Sequence, residues 1–322
     1  MKISCGLAPN RDIVAGAQLA EALGYHRVWT FDSPALYGDV WIALARVADA
    51  TERIGLGTGV LVPHTRHPLV TASAIATIED SAPGRLIVAI ATGFTARMTM
   101  GHRALRWSYV EHYVRTLRAL LSGETAEVEG KRVKMIHPPG QAPKRPIRTP
   151  LLLGADGPKG LAIAKEIADG VIAGGGPKAG FEHSVLLQMG TVLEDGEDLR
   201  SPRVVDAIGP AVAAMYHGAY EASGEGVDQL PGGAGWRAEI EAFPDEERHL
   251  QIHQGHMIHL TDRDRRHIAP EMGAAMLVGT ASEIREKLAG LESAGTTELM
   301  YVPIGDIERE LRAMAEATRI SP

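Results

Sequence analysis

The residues whose types and spacing could do chemistry fall into three groups. Asp32 and Ser33 follow one short apolar run, Tyr25 to Phe31, and His64 follows another, Ile54 to Val62. A carboxylate and an imidazole at strand ends are candidates for moving a proton. The second group is two glycine-bearing stretches, Gly154-Ala155-Asp156-Gly157-Pro158 and Ala173-Gly174-Gly175-Gly176-Pro177-Lys178. Loops of this kind at helix N-termini offer free backbone N–H groups and a positive dipole end to a phosphate, although tight turns between helix and strand have the same composition. The third group is HLQIHQGHMIH, where His249, His253, His256 and His259 recur at spacings of four, three and three. They share one side of a helix if the segment is helical. No Glu completes an H-E-x-x-H pattern and Gly255 interrupts the helix, so the expectation is no metal, with the histidines on the surface or in a pocket.

Bringing such scattered residues together requires a scaffold whose loops converge. Apolar runs at 2–7, 25–31, 54–62, 85–91, 150–154 and 170–173 read as strands, and segments at 11–23, 40–50, 68–80 and 107–121 carry apolar residues at helical spacing. Pro68 and Pro158 suit first helical turns, where a missing N–H costs nothing. Further on, 181–193 reads as helix, 203–208 as a seventh strand, 210–222 as its helix, 279–294 as helix, 298–302 as the eighth strand and 306–317 as the closing helix. Repeated βα alternation demands right-handed crossovers and a parallel sheet. Eight strands favour closure into a (β/α)8 TIM barrel, a single domain over 1–322, with a hairpin insertion at about 124–137 and a lid-like insertion at about 224–270.

An open, doubly wound sheet is the competitor. No G-x-G-x-x-G stands between the first strand and the first helix; the nearest glycines, Gly55, Gly57 and Gly59, lie inside a strand at period two and therefore on one face. Glycine on one strand face leaves space for another backbone or a ring, or else packs tightly with no ligand. In a barrel the site lies in the loops beyond the strand C-termini, which here hold Asp32, Ser33, His64, Thr92, Gly93, Phe94, Arg97, Ala155, Asp156 and Gly157.

With 33 basic against 40 acidic residues and a net charge of −7, the signs are mixed along the chain, so neither nucleic acid nor an acidic membrane is an expected partner. No run approaches the roughly 20 apolar residues of a membrane span. Cys5 is the sole cysteine and reads as a small buried hydrophobe. The opening MKISCGLAPN has no apolar leader pattern, and a reducing cytoplasm is the expected compartment.

The stretches RIGLGTGV, RHP, and GR followed by ATG resemble the bacterial luciferase-like flavin and deazaflavin oxidoreductase family. The similar branch is the one that uses coenzyme F420, typified by methylenetetrahydromethanopterin reductase. The likeness runs from the opening strand to GTASEIREKLAGLESAGTTELMYVPIG and is weakest from Gly224 to Pro270. The resemblance implies an oxidoreductase that transfers a hydride between the 8-hydroxy-5-deazaflavin F420 and a small organic substrate. An FMN-dependent monooxygenase is the alternative, and a non-catalytic cofactor-binding barrel is an alternative of another class.

The resemblance also implies a strand bulge with a cis peptide between Gly59 and Val60 behind the central ring of the cofactor. Cofactor contacts are expected at Ser33, Gly59, Val60, Thr92, Gly93, Ala155, Asp156, Gly157, Gly174 and Gly175, with the phosphate after the fifth and sixth strands. Asp32 and His64 are the expected proton carriers, and Phe94, Arg97, His253 and His256 the expected substrate contacts. Arg66 is expected to form an ion pair that fixes the helix entry. Two departures stand out. F420 enzymes often carry Asp-His where this chain has Asp32-Ser33, and related sugar-phosphate dehydrogenases carry a carboxylate after Thr-Gly where this chain has Phe94 and Thr95. Sugar-phosphate oxidation is therefore disfavoured. Family members commonly pair through barrel helices, and Trp41 and Leu44 are expected to face outward in a homodimer.

Overall fold

The chain, described over residues 1–321 by a computed structural model, folds by βα alternation. Strands β1 (Lys2–Leu7), β2 (Arg27–Thr30), β3 (Gly55–Leu61) and β4 (Leu86–Ile90) are joined by helices α1 (Ile13–Ala22), α2 (Val40–Ala50) and α3 (Pro68–Ser81). After β4 come the short α4 (Phe94–Met98), the long α5 (Trp107–Ser122) and a hairpin of β5 (Ala126–Val128) and β6 (Lys131–Val133). Strand β7 (Leu151–Gly154), α6 (Pro158–Ile167), β8 (Gly170–Ala173), β9 (Ser184–Val192) and α7 (Pro202–Ser223) follow. An insertion carries α8 (Gly233–Glu241), α9 (Arg248–Ile252) and α10 (Asp262–His267). The chain closes with β10 (Leu277–Gly279), α11 (Ala281–Ser293), β11 (Glu298–Val302) and α12 (Ile307–Thr318).

Strand pairing runs β1-β2-β3-β4-β7-β8-β9-β11 and back to β1, all parallel, which closes an eight-stranded barrel. No open edge survives among these eight, so the doubly wound alternative falls. β10 is an extra strand on the upper half of β9. β4 is buried along its whole length, as a strand covered on both faces must be. One apolar layer lies between barrel and helices, built by residues such as Leu44, Leu56, Ile75, Leu117 and Leu311. A second fills the barrel interior with Trp29, Leu152, Val185 and Met300 and continues upward into α7 and α8 through Tyr216 and Trp236.

Gly55, Gly57 and Gly59 do share a face, and it is the barrel interior. A Cβ on Gly57 would lie 2.4 Å from the Trp29 ring, and one on Gly59 would lie 3.1 Å from the Met300 methyl. The ring that these glycines admit is the indole of Trp29, so a side chain added at Gly59 points into the core layer and not at a bound cofactor. At the barrel floor the fully buried Glu298 accepts hydrogen bonds from Ser4 Oγ at 2.6 Å, Trp29 Nε1 at 2.9 Å and His183 Nε2 at 2.8 Å, with Arg27 Nε 3.6 Å away. Burial alone would raise its pKa, but His183, Arg27 and Ser4 outweigh that and hold it at about 2.

Three expectations change. Residues 184–192 form a barrel strand, where a helix was expected; a short apolar run bounded by polar residues fits either element by periodicity alone. Residues 203–208 lie in α7, where the seventh strand was expected. Val204, Ala207, Ile208, Ala211 and Val212 are buried at helical spacing, and Pro202 occupies the first turn, as it can in any helix. Trp41 and Leu44 are buried, 9% and 0% exposed, in the layer against the barrel, so they do not face outward. Among the described residues no helix is long and apolar enough to cross a membrane.

Candidate active site

The C-terminal ends of β2, β3, β4, β7 and β8 enclose a cavity of about 420 Å3. A larger hollow of about 840 Å3 opens at the opposite end, among Lys2, Arg118, Arg148 and His183. Barrel chemistry belongs to the C-terminal face, where the βα loops converge. That face also holds a cavity of about 430 Å3 beside the ends of β1 and β11, and the 420 Å3 cavity is the candidate because Asp32, Ser33, Thr92, Gly93, Ala155 and Asp156 line it.

One wall of that cavity is made by small residues. The Gly59–Val60 peptide is cis, and the register between β3 and β4 shifts between Thr58 and Leu61, which is the expected bulge. Val60, Ala91, Gly154, Ala155 and Ala173 line this side. A Cβ on Gly154 would sit 2.8 Å from Ala91 Cβ and 3.0 Å from Val60 Cγ1, so the wall tolerates no further bulk. Gly93 ends β4's loop at φ +76°, and a Cβ there would meet Val62 Cγ1 at 2.5 Å. Thr92 and Gly93 then pass the chain into α4, which carries Phe94 and Thr95 to the cavity rim.

Asp32 lines the cavity but is 3% exposed, and its carboxylate is engaged. It accepts from Val62 N at 3.0 Å, Thr65 Oγ1 at 3.3 Å and Arg66 Nη1 at 2.8 and 2.7 Å. Arg66 also donates through Nη2 to Asp39 Oδ2 at 2.7 Å, while Asp39 caps α2 through Trp41 N and Ile42 N. The Asp32–Arg66–Asp39 chain thus ties the ends of β2 and β3 to the start of α2, the helix-entry ion pair expected for Arg66. A carboxylate with this many donors serves as an anchor, which argues against the expected proton transfer by Asp32. His64 is exposed, stands outside the cavity lining and meets His102 edge-on at 5.9 Å between centroids. The structure does not bring it to the site.

The two glycine-bearing loops also differ from expectation. Strand β9 follows Gly174–Lys178, so that loop has no helix dipole behind it. Two of its N–H groups are already taken: Asp156 Oδ2 accepts from Gly174 N at 3.2 Å and Oδ1 from Gly175 N at 2.8 Å, with Lys178 Nζ 3.1 Å from Oδ1. A carboxylate there occupies what a phosphate would use. The other loop keeps its potential, because α6 starts at Pro158 behind Gly157, which supplies no side-chain cap, and the N–H groups next to the proline are the ones an anion could use. A Cβ on Gly157 meets nothing within 4 Å. The small-residue wall leaves room for a planar ring, and the start of α6, unlike Gly174 and Gly175, carries no carboxylate on its N–H groups.

Ser33 and Phe94 line the cavity as expected, and Arg97 lies outside it, its Nε donating to Arg103 O at 2.6 Å. The histidine segment breaks as Gly255, at φ +69°, turns the chain after α9. His256 reaches the cavity, while His253 is buried behind it beside His217 of α7. Tyr37 was missed: it lines the cavity and donates through its hydroxyl to His256 O at 3.0 Å. It stands in the same β2–α2 loop as Asp32, and its place in that loop is the only signal the sequence carries for it. His217 had no local signal, since its partners lie 36 and 39 residues further on.

The barrel and its C-terminal cavity define a luciferase-like enzyme scaffold, and comparison with known proteins agrees. The family model described as luciferase-like monooxygenase matches residues 4–298, and the chain belongs to that family. It is 31% identical over 201 residues to the 5,10-methylenetetrahydromethanopterin reductase of Methanolobus tindarius, covering 59% of this chain and 57% of that one. It is 31% identical over 179 residues to the F420-dependent hydroxymycolic acid dehydrogenase of Mycobacterium tuberculosis, covering 50% of this chain and 48% of that one. The matches thus span about half the length of these curated relatives. The coenzyme F420 dependent tetrahydromethanopterin reductase from Methanopyrus kandleri superposes over 99% of both chains with a TM-score of 0.66 at 19% identity, which shows the shared fold. An F420-dependent secondary alcohol dehydrogenase, solved with an F420-acetone adduct, gives a TM-score of 0.66 at 16% identity over 100% of this chain and 99% of that one.

Proposed function

We propose that this protein is a coenzyme F420-dependent oxidoreductase acting on a small organic molecule. The observation that carries the reading is the flat wall of Val60, Ala91, Gly154 and Ala155 at the bulged end of β3, which suits the face of a planar ring and leaves the other side open to a substrate. Two curated relatives carry names that fit it, one of them F420-dependent in name. Bound there, a deazaflavin supplies or accepts a hydride.

What this chain adds is position and a proton path. The proton that accompanies a hydride would have to be taken up or given by a side chain at the cavity. Among the residues lining the cavity, His256 is the candidate for holding that proton, since Asp32 is occupied by Arg66 and His64 lies elsewhere. Its Nε2 is 3.5 Å from Thr95 Oγ1 at the rim. Phe94 and Met257 supply apolar contact for the substrate. We also propose a homodimer, resting on Ile42 and Val70, which are 65% and 57% exposed on the neighbouring helices α2 and α3.

Titration of the purified protein with F420, and separately with FMN, followed by quenching of cofactor fluorescence, tests the reading. F420 is expected to bind at least tenfold more tightly. Tighter FMN binding, with oxygen consumption by the reduced complex, would replace it with the monooxygenase alternative. Binding of neither would remove it.

A further inference from the structure

Three histidines come together outside the ring wall. His217 projects from α7, His253 follows α9, and His256 lies one turn further on. One ligand nitrogen from each lies within 4.8 Å of the other two. His256 Nδ1 is 3.0 Å from His217 Nδ1 and 3.4 Å from His253 Nδ1. Zinc–nitrogen bonds of 2.0–2.1 Å in tetrahedral geometry place neighbouring ligand atoms about 3.3 Å apart. Both measured separations are near that edge.

The opposite nitrogens face carboxylates. His217 Nε2 is 3.8 Å from Asp264 Oδ1, and His253 Nε2 is 3.4 Å from Glu221 Oε1. Both Nε2 atoms are buried without a hydrogen-bond partner, on side chains only 1% exposed. Asp264 is itself held by Trp236 Nε1 at 2.7 Å and Thr261 Oγ1 at 2.6 Å. An imidazole that binds metal through one nitrogen while its other N–H faces a carboxylate is the usual outer arrangement of a histidine metal site.

Without a cation the cluster is poorly satisfied. Three imidazole nitrogens converge, and a single proton can bridge only two of them, leaving the third lone pair directed at its neighbours. A divalent ion satisfies all three at once.

We propose that His217, His253 and His256 form a binding site for a divalent transition metal of the zinc class. Imidazole ligands suit zinc, copper and nickel, and three ligands leave a fourth position for water. The site joins α7 to the insertion, so the metal fastens the lid over the cavity. With the metal on Nδ1, the His256 ring carries its proton on Nε2, the nitrogen beside Thr95 at the cavity rim, so in the metal-loaded protein it can donate there but not act as a base, and the proton-accepting role proposed above belongs to the metal-free form. The proposal does not depend on which cofactor the cavity takes.

The test uses the full chain, stripped with a chelator, desalted and titrated with zinc by calorimetry and with cobalt by visible absorbance. Expected are one equivalent of zinc bound at micromolar affinity or tighter, the intense bands of four-coordinate cobalt, and a raised melting temperature with zinc. His217→Gln, His253→Gln and His256→Gln should each weaken zinc binding at least tenfold, while His249→Gln and His259→Gln should leave it unchanged. Absence of stoichiometric binding to the parent protein would overturn the proposal whatever the variants do. So would zinc binding that survives His256→Gln, or that is lost in His259→Gln.

Discussion

Gly57 stands where Trp29 admits no side chain: a Cβ on Gly57 would lie 2.4 Å from Trp29 Cε3, and the indole is fully buried. Trp29 cannot easily retreat, because its Nε1 is fastened to Glu298 at 2.9 Å. Overpacking of a filled core costs typically 1–3 kcal/mol, and Gly57→Ala should reach about 3 kcal/mol or more. Gly59→Ala meets the flexible end of Met300 at 3.1 Å and Trp29 Cβ at an ordinary 3.4 Å, and should cost about 1 kcal/mol. Urea midpoints of the two variants check the contrast; equal losses would mean that the indole re-seats freely.

Asp32 and Arg66 should behave as one unit. The side chains are 2% and 13% exposed, and removing either partner of such a buried pair costs about 3–5 kcal/mol because the other charge is left uncompensated. Asp32→Ala and Arg66→Ala should each destabilise strongly, and the double variant should cost well below their sum. If Asp32→Asn instead keeps full stability and affects turnover alone, Asp32 carries a proton after all.

Acid should destabilise the protein in two stages. Burial, aided by the nearby Arg27, lowers the pKa of His26 from 6.5 to about 4. A folded-state pKa below the unfolded one gives stability that is present above pH 6.5 and lost as the pH falls from 6.5 towards 4. Glu298, held at about 2 against an ordinary 4.5, contributes above pH 4.5, and this contribution is lost as the pH falls towards 2. Melting temperatures of His26→Gln should fall less than those of the parent between pH 6.5 and 4 and in parallel with it below.

Asp156 should act as an internal competitor for phosphate. Asp156→Ala frees Gly174 N and Gly175 N and unpairs Lys178, so affinity for FMN relative to riboflavin should rise several-fold. An unchanged ratio, measured by fluorescence titration, would mean that this loop takes no phosphate even when Asp156 is removed.

Self-association through α2 and α3 should be sensitive to charge. Ile42→Asp together with Val70→Asp is expected to give the monomer mass in light scattering where the parent gives a dimer. A monomeric parent would end the idea.

The barrel was legible because its strands and helices differ in period. The run at 55–61 ends in the glycines and valine that form the bulge, and Pro68 marks the start of α3. What misled were segments of mixed signal. Val204 and Val205 favour a strand locally, yet their burial follows the helical face of α7, and the paired β9 run has no period of its own. The site was legible only where strand ends deliver it, as at Ser33, Val60, Thr92 and Ala155. Occupancy was not legible: nothing local in the sequence says that Asp156 caps Gly174 and Gly175, or that Arg66 holds Asp32, because such pairings are decided by three-dimensional proximity. His217 was invisible for the same reason, being a single histidine on an apolar helix until folding sets His253 and His256 against it.

Strand β9 serves two masters. Its first half pairs with β8 and β11 inside the barrel, while Gly190, Thr191 and Val192 pair with β10 above it. Gly190 is essential to that arrangement, since a Cβ there would lie 1.9 Å from Leu277 O. The whole segment from α7 to α10 is therefore hung from a two-strand bracket outside the barrel ring, leaving and returning to the same short ladder. Such a segment, cut between 193 and 276, should be exchangeable as a cassette without disturbing the register of the eight ring strands, provided that the α7 residues packed on the barrel interior, such as Val204 and Ile208, go with it. Swapping this cassette between related barrels would move the lid and its three histidines together, while the ring wall at Val60 and Gly154 stays behind.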